Sequence, residues 1–229
     1  MNNEGNSTVG TQTSSSLRRV PQQDRSNQRL ELILDAAATL IDEVGYRNVS
    51  MTLVARKAGM SGPGVYRYFS DLEAVARALA ARNLERFIAS TKDALSAQAG
   101  DWTILLSRVI DVYAELCRTE PGFRWLRLGD AVDRNLLDHE VSNRSFAAGV
   151  MTRIFVSRFN VHERAELDIH VEVVVEIVDG LIARAFATNP DGDQFFIDEC
   201  SRLAGNYLVD YLERTYQPEL DTDIDTDRL

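Results

Sequence analysis

Cysteine is nearly absent from this chain of 229 residues: only Cys117 and Cys200 occur, with no paired-ligand spacing around either. A disulfide framework and a structural zinc clip are thereby disfavoured, and both thiols read as small buried apolar groups of a protein in a reducing cytoplasm. Long apolar runs are missing as well. The greasiest stretch, Val171–Phe186, is interrupted by Glu172, Glu176 and Asp179, short of the roughly 18 uncharged residues that a membrane span needs. Residues 1–16 are rich in Ser, Thr, Asn, Gln and Gly and lack the apolar segment of a signal peptide. Catalytic landmarks are equally scarce. There is no phosphate-binding glycine loop, no HExxH zinc motif and no Ser or Cys in a nucleophile elbow. An all-helical enzyme is therefore the remotest alternative, and no cofactor is expected. No internal repeat is apparent.

What is present is apolar content of 45%, enough to bury a full core without staples, and an uneven charge distribution. The whole chain carries −10, which by itself argues against a polyanionic partner. Residues 15–70, however, hold eight basic side chains (Arg18, Arg19, Arg25, Arg29, Arg47, Arg56, Lys57, Arg67) against five acidic ones (Asp24, Glu31, Asp35, Asp42, Glu43), a balance of +3 that leaves −12 on residues 71–229. One end is suited to approach nucleic acid and the rest is repelled by it.

Helical periodicity dominates. Leu30, Ile33, Leu34, Ala37, Leu40, Ile41 and Val44 predict a first helix of about four turns, with Gly45 as a left-handed C-cap. Ser50 caps a short second helix through Leu53, Val54 and Ala58, which Gly59 stops. Ser61 caps a third through Phe69, with Pro63 in its first turn. Ser70-Asp71-Leu72-Glu73 reads as a capping box opening a fourth helix to about Lys92. Further helices are expected at Trp102–Thr119, Phe123–Arg134, Leu137–Phe159, Ala165–Thr188 and Gln194–Tyr216. A β-strand competes over residues 171–177, where β-branched residues alternate. The apolar stripe Val171, Val174, Val175, Val178, Leu181, Ile182, Ala185, Phe186 favours helix.

The expected fold is all-α. Two short helices joined by Ala58-Gly59-Met60-Ser61 after a long one outline a helix-turn-helix. Such a helix fits the major groove, its start offering free N–H groups and small residues, Ser61, Gly62, Pro63 and Gly64, for close approach. Arg67 can donate two hydrogen bonds to a guanine or one to a phosphate. The hydroxyls of Thr52, Tyr66 and Tyr68 suit phosphate oxygens, and Arg47 completes the candidate DNA-binding set. Phe69 is better read as core. Arg18, Arg19, Arg25 and Arg29 offer a basic arm for the backbone or minor groove, the alternative being a solvated tail.

Residues 25–75 closely resemble the TetR family of transcriptional regulators: Ile33-Leu34-Asp35-Ala36-Ala37 with Leu40, Gly45 and Tyr46, then Val54-Ala55-Arg56-Lys57-Ala58-Gly59-Met60-Ser61, then Val65-Tyr66-Arg67-Tyr68-Phe69. The chain departs from the family pattern at Gly62-Pro63-Gly64, where members often have a polar residue, Gly and Thr, and at Leu72, where many carry a lysine that touches phosphate. The resemblance implies a helical ligand-receiving domain and a four-helix dimer interface built from the last two long helices of each copy. It divides the chain into a disordered extension 1–24, a helix-turn-helix domain 25–70, a larger helical ligand-binding and dimerisation domain 71–216 and a disordered acidic tail 217–229. The implied function is a homodimeric repressor released from a palindromic operator by a small-molecule ligand in the C-terminal domain; the alternative is an effector-independent or partner-controlled regulator, whose C-terminal half is only a dimerisation scaffold.

The stripes of Ala165–Thr188 and of Gln194–Tyr216, the latter with Phe195, Phe196, Leu203, Tyr207, Leu208 and Tyr211, exceed what one monomer core needs and support the dimer. Trp102, Tyr113, Phe123, Trp125, Phe146 and Phe155 can line an apolar cavity, ordinary core being the plainer reading of each. Arg124, His139, Asn143 and His170 are candidates for orienting a ligand, with surface placement as the alternative. A metal set of Asp130, Asp133, Asp138 and His139 has helical spacing, but acidic runs usually form solvated faces, and no metal is expected.

Overall fold

A computed structural model of the chain describes residues 22–96, 102–126, 143–159 and 165–220, and all regular structure among them is helical. Helix α1 spans Gln22–Val44 and starts two turns before the apolar stripe does, because the turns carrying Arg25 and Arg29 are solvent-facing and have no stripe to announce them. Ile33, Leu34, Ala37, Leu40 and Ile41 form its buried face. Gly45 has φ +77° and ψ +148°, so it takes the positive φ that favours glycine, but its ψ lies outside the left-handed helical cap that the sequence suggests. It leads into a 3-10 turn, Tyr46–Asn48, where the Asn48 amide donates to the Val44 carbonyl at 2.7 Å and satisfies one of the last carbonyls of α1.

Helix α2, Met51–Lys57, is capped by Ser50, whose Oγ accepts from the Leu53 N–H at 3.3 Å. It ends in a Schellman motif: Met60 N–H donates to Ala55 O at 2.9 Å and Gly59 N–H to Arg56 O at 3.2 Å, with Gly59 at φ +67°. Helix α3, Gly62–Tyr66, is capped by Ser61, which accepts from Gly64 N–H at 3.2 Å. It is only five residues long; the expected continuation to Phe69 is a turn in which the Tyr68 and Phe69 N–H groups both converge on the Val65 carbonyl. Helix α4, Leu72–Ser96, is capped one residue later than the capping-box reading: Asp71, not Ser70, accepts from the Ala74 N–H at 2.7 Å, while the Ser70 hydroxyl donates to Asp71. The Ala74 N–H and then the Ser70 hydroxyl hold the Asp71 carboxyl below the usual carboxylate range.

The C-terminal part comprises α5 (Trp102–Thr119), α6 (Asn143–Phe159), α7 (Ala165–Ala185) and α8 (Gln194–Leu220). The β-branched run 171–177 lies within α7, where Val171, Val174, Val175, Val178 and Ile182 make one buried stripe. Of the helix expected at Phe123–Arg134, residues 123–126 are turns, and the remainder lies outside the described residues, as do 137–142.

Two cores result. Ile33, Ile41, Val54, Val65 and Phe69 pack together with Val75 and Leu79 of α4. Leu84 and Phe87, further along the same helix, pack with α5, α7 and α8 around Ile110, Tyr113, Leu167 and Ile182. Helix α4 is thus a strut common to both, held on α1 by Arg82, whose Nη1 lies 2.9 Å from Glu31 and 2.7 Å from Asp35. The turn after α5 lies against α1 at backbone contact. Gly122 has φ +74°, and a Cβ there would stand 3.0 Å from Ala38 Cα. Gly122→Ala is therefore expected to destabilise the protein by about 1–3 kcal/mol from backbone strain alone, with the clash adding to it. Gly149→Ala, in the interior of α6 and 3.5 Å from the nearest group, should be neutral or stabilising. Urea unfolding of the two variants measures the difference, and equal midpoints would refute the close approach.

Candidate functional site

The helix-turn-helix exposes one polar, cationic edge. Ser61 and Pro63 are exposed at the start of α3, Gly62 and Gly64 are half-buried, and a Cβ on Gly62 would meet nothing within 4 Å. Tyr66 is 56% exposed, Arg67 follows it in the open, and Tyr68 is half-buried. Thr52 on α2 and Arg47 on the 3-10 turn are also exposed. Arg47, Arg56 and Arg67 make no ion pair among the described residues, whereas Lys57 is held by Glu43 at 2.7 Å. Val65, between Gly64 and Tyr66, is fully buried and anchors this short helix in the N-terminal core. Arg25 and Arg29 of the basic segment stand on the exposed first turns of α1; Arg18 and Arg19 lie outside the described residues.

A second feature lies in the C-terminal core. A cavity of about 110 Å³ is lined by Phe87 and Leu95 of α4, Trp102, Leu105, Leu106, Val109 and Tyr113 of α5, Met151, Ile154 and Phe155 of α6, Val171, Val174, Val175 and Val178 of α7, and Leu208 of α8. Of the aromatic candidates, Trp102, Tyr113 and Phe155 line it. The Tyr113 hydroxyl donates to the buried Asp179 carboxylate oxygen at 2.7 Å, which fixes the ring. Phe123 is fully buried beside the cavity, edge-on to Tyr113 at 5.6 Å and 73°. Trp125 is 45% exposed. Arg124 faces the other domain, with Nε 3.4 Å from Asp42 of α1. His170 joins α7 to α8: its Nδ1 is 2.7 Å from the Tyr207 hydroxyl, and its ring stacks on Tyr211 at 3.7 Å. Asn143 opens α6 and Phe146 lies in its first turns, but their side chains, like His139 as a whole, lie outside the described residues.

Sequence reasoning did not single out the aliphatic lining, which has the same stripe pattern as ordinary core, nor the link between the two halves. Phe123 and Leu126 are each 0% exposed, yet Phe123 belongs to the C-terminal core and Leu126 to the N-terminal one. Gly122 on Ala38, Arg124 on Asp42 and the Arg86–Glu120 ion pair hold the turn between them. The Pro121-Gly122 dipeptide was the one available signal that a turn interrupts the helices here. On the outside, Ile169 of α7 and Phe195 and Leu203 of α8 are exposed large apolar side chains.

No helix among the described residues is long and apolar enough to cross a membrane. A family profile described as "Bacterial regulatory proteins, tetR family" matches residues 33–79, and one described as "Tetracyclin repressor-like, C-terminal domain" matches residues 100–212. The structure is similar to that of a TetR-family transcriptional regulator from Streptomyces coelicolor, with TM-score 0.68 and 34% identity over 79% of this chain and 97% of that one. It shares its fold with the fatty acid degradation regulator FadR from Bacillus halodurans, with TM-score 0.61 and 13% identity over 77% of this chain and 94% of that one. A curated relative, the HTH-type transcriptional regulator YobS of Bacillus subtilis (strain 168), is 27% identical over 93 residues, 41% of this chain. The match spans about half of that relative's length, 48%.

Cys117 and Cys200 are both buried in the core around the cavity, and burial pushes the Cys200 thiol up to about 12. With so little thiolate on Cys200 near neutral pH and Cys117 only 3% exposed, neither residue should react with a thiol reagent in the native protein, and both should react once denaturant opens the C-terminal core. Rapid modification of either before unfolding would contradict the packing.

Proposed function

Because this chain belongs to the TetR family of transcriptional regulators, with a DNA-binding helix-turn-helix ahead of a helical C-terminal domain, we propose that it is a homodimeric repressor released from a palindromic operator by a small molecule in the α4–α8 cavity. The observation that carries the DNA-binding role is the exposed edge of α3, where Tyr66 and Arg67 project beyond a glycine-lined approach. Arg67 reads a guanine or grips a phosphate. The hydroxyls of Thr52, Tyr66 and Tyr68 and the guanidinium of Arg47 take phosphate oxygens, and Ser61, Gly62, Pro63 and Gly64 let the backbone come close.

A dimer follows from two considerations. Ile169, Phe195 and Leu203 leave apolar surface on α7 and α8, which a second copy covers. A two-fold pair also presents its recognition helices to half-sites about 34 Å apart on one face of the duplex.

Relief runs through the turn after α5. A ligand that moves Tyr113 moves Phe123, which packs on it edge-on, and Phe123 shares a rigid turn with Arg124 and Leu126, both seated on the DNA-binding half. The ligand shifts operator affinity only by its own preference between the two arrangements, typically about 5–150-fold.

Selection of bound duplexes from random DNA should yield a palindrome with steep salt dependence. Arg67→Ala should weaken binding to it by about 1–3 kcal/mol, the usual worth of one specific arginine contact. An enriched site with no two-fold symmetry, or full affinity in the variant, would sink this interface. Sedimentation should give a dimer, and the double substitution Ile169→Glu with Phe195→Glu should shift it to monomer and abolish palindrome binding. A wild-type monomer at micromolar concentration would contradict the assembly.

A further inference from the structure

We propose that the effector is a neutral, compact, hydrocarbon-rich molecule of about the size of one six-membered ring, carrying at most one uncharged polar group. This rests on the reading above that the cavity receives the effector, and it follows from size and from chemistry separately.

The volume of about 110 Å³ is of the order of the roughly 150 Å³ apolar cavity that takes up benzene in another protein. A multi-ring or long-chain molecule is larger than this space and would be accommodated only in part.

The lining holds no charged side chain and no histidine among the described residues. A carboxylate or ammonium entering it would lose its hydration without meeting a counter-charge in the lining, because the buried Asp179 carboxylate is outside it and already accepts the Tyr113 proton, and an isolated buried ion is far more costly than a neutral group. The lining residues with polar atoms on their side chains are Trp102 and Tyr113, and the Tyr113 proton is already committed to Asp179. Neutral polar residues on the same helices include Thr91, one turn from both Phe87 and Leu95, and Thr152, beside Met151, neither of them in the lining. Both are essentially fully buried, and their hydroxyls have no hydrogen-bond partner among the described residues. In the lining itself the Trp102 indole N–H can meet one alcohol or carbonyl, and it cannot neutralise a charge.

The chain contains two tryptophans, one in the cavity wall and one, Trp125, half in solvent. A Trp125→Phe variant therefore leaves Trp102 as the sole indole and a direct reporter. Toluene, benzoate and benzylammonium, which share one ring and differ in charge, are the probes. Toluene should change Trp102 emission saturably and raise the Tm of the unaltered protein by linkage. Benzoate and benzylammonium should bind at least about 100-fold more weakly, if at all. Val175→Phe, which fills the cavity, should remove the toluene response while leaving the helical circular dichroism intact; should that variant not fold, the toluene-dependent Tm shift of the unaltered protein decides.

Saturation by benzoate or benzylammonium at concentrations similar to toluene, or no toluene response in either measurement, would overturn the proposal. Operator binding is then measured separately with toluene bound. Retention of the operator by a toluene-saturated protein would overturn the relief mechanism and leave the ligand chemistry standing, so the two failures are distinguishable.

Discussion

The rest of the architecture depends on a short turn that has to satisfy two cores at once. Phe123 and Leu126 are three residues apart, both fully buried, and they enter different hydrophobic clusters. Close-packed interiors tolerate little displacement of such groups, so the turn fixes how the C-terminal helices sit on α1. The backbone contact of Gly122 with Ala38 adds a steric stop. With Arg124 on Asp42 and the Arg86–Glu120 pair, it makes the junction a specified contact and not a flexible tether.

Helix α4 makes the second connection, and its chemistry differs. Its apolar faces serve each core in succession, while Arg82 reaches back to Glu31 and Asp35 on α1. The arginine is largely buried and the two carboxylates are half in water, so the partners are not equivalent. Removing the guanidinium returns two carboxylates to solvent, a small loss for exposed charges. Removing both carboxylates strands a buried cation, the more damaging change. The junction therefore combines a tight apolar seat at one end with a polar bracket at the other.

Much of the fold was legible because its signals are local. The stripe Ile33, Leu34, Ala37, Leu40, Ile41 is the observed buried face of α1, Ser50 and Ser61 cap the helices they were expected to cap, and α5 has the predicted bounds. Legibility ended where position depends on a partner distant in sequence. The cap shift from Ser70 to Asp71 is a one-residue choice between two good acceptors. The turn at 123–126 arises from the approach to Ala38, which no spacing rule reveals. In the candidate site, the residues at the start of α3 were named from a local motif. Arg124 and His170 stand out in the sequence only by their polarity, and the structure gives them to Asp42 and to Tyr207 and Tyr211. The valines of α7 that line the cavity look in sequence like any other core stripe.

The cavity among α4–α8 also has a mechanical meaning. Interior volume that no atom fills is volume the unfolded chain does not enclose, so unfolding shrinks the system, and about 110 Å³ per molecule is a substantial share of the roughly 20–100 mL/mol by which proteins contract on unfolding. Hydrostatic pressure therefore bears on the C-terminal core, where that space lies. The space suited to receiving a guest is for the same reason the place where pressure finds volume to remove.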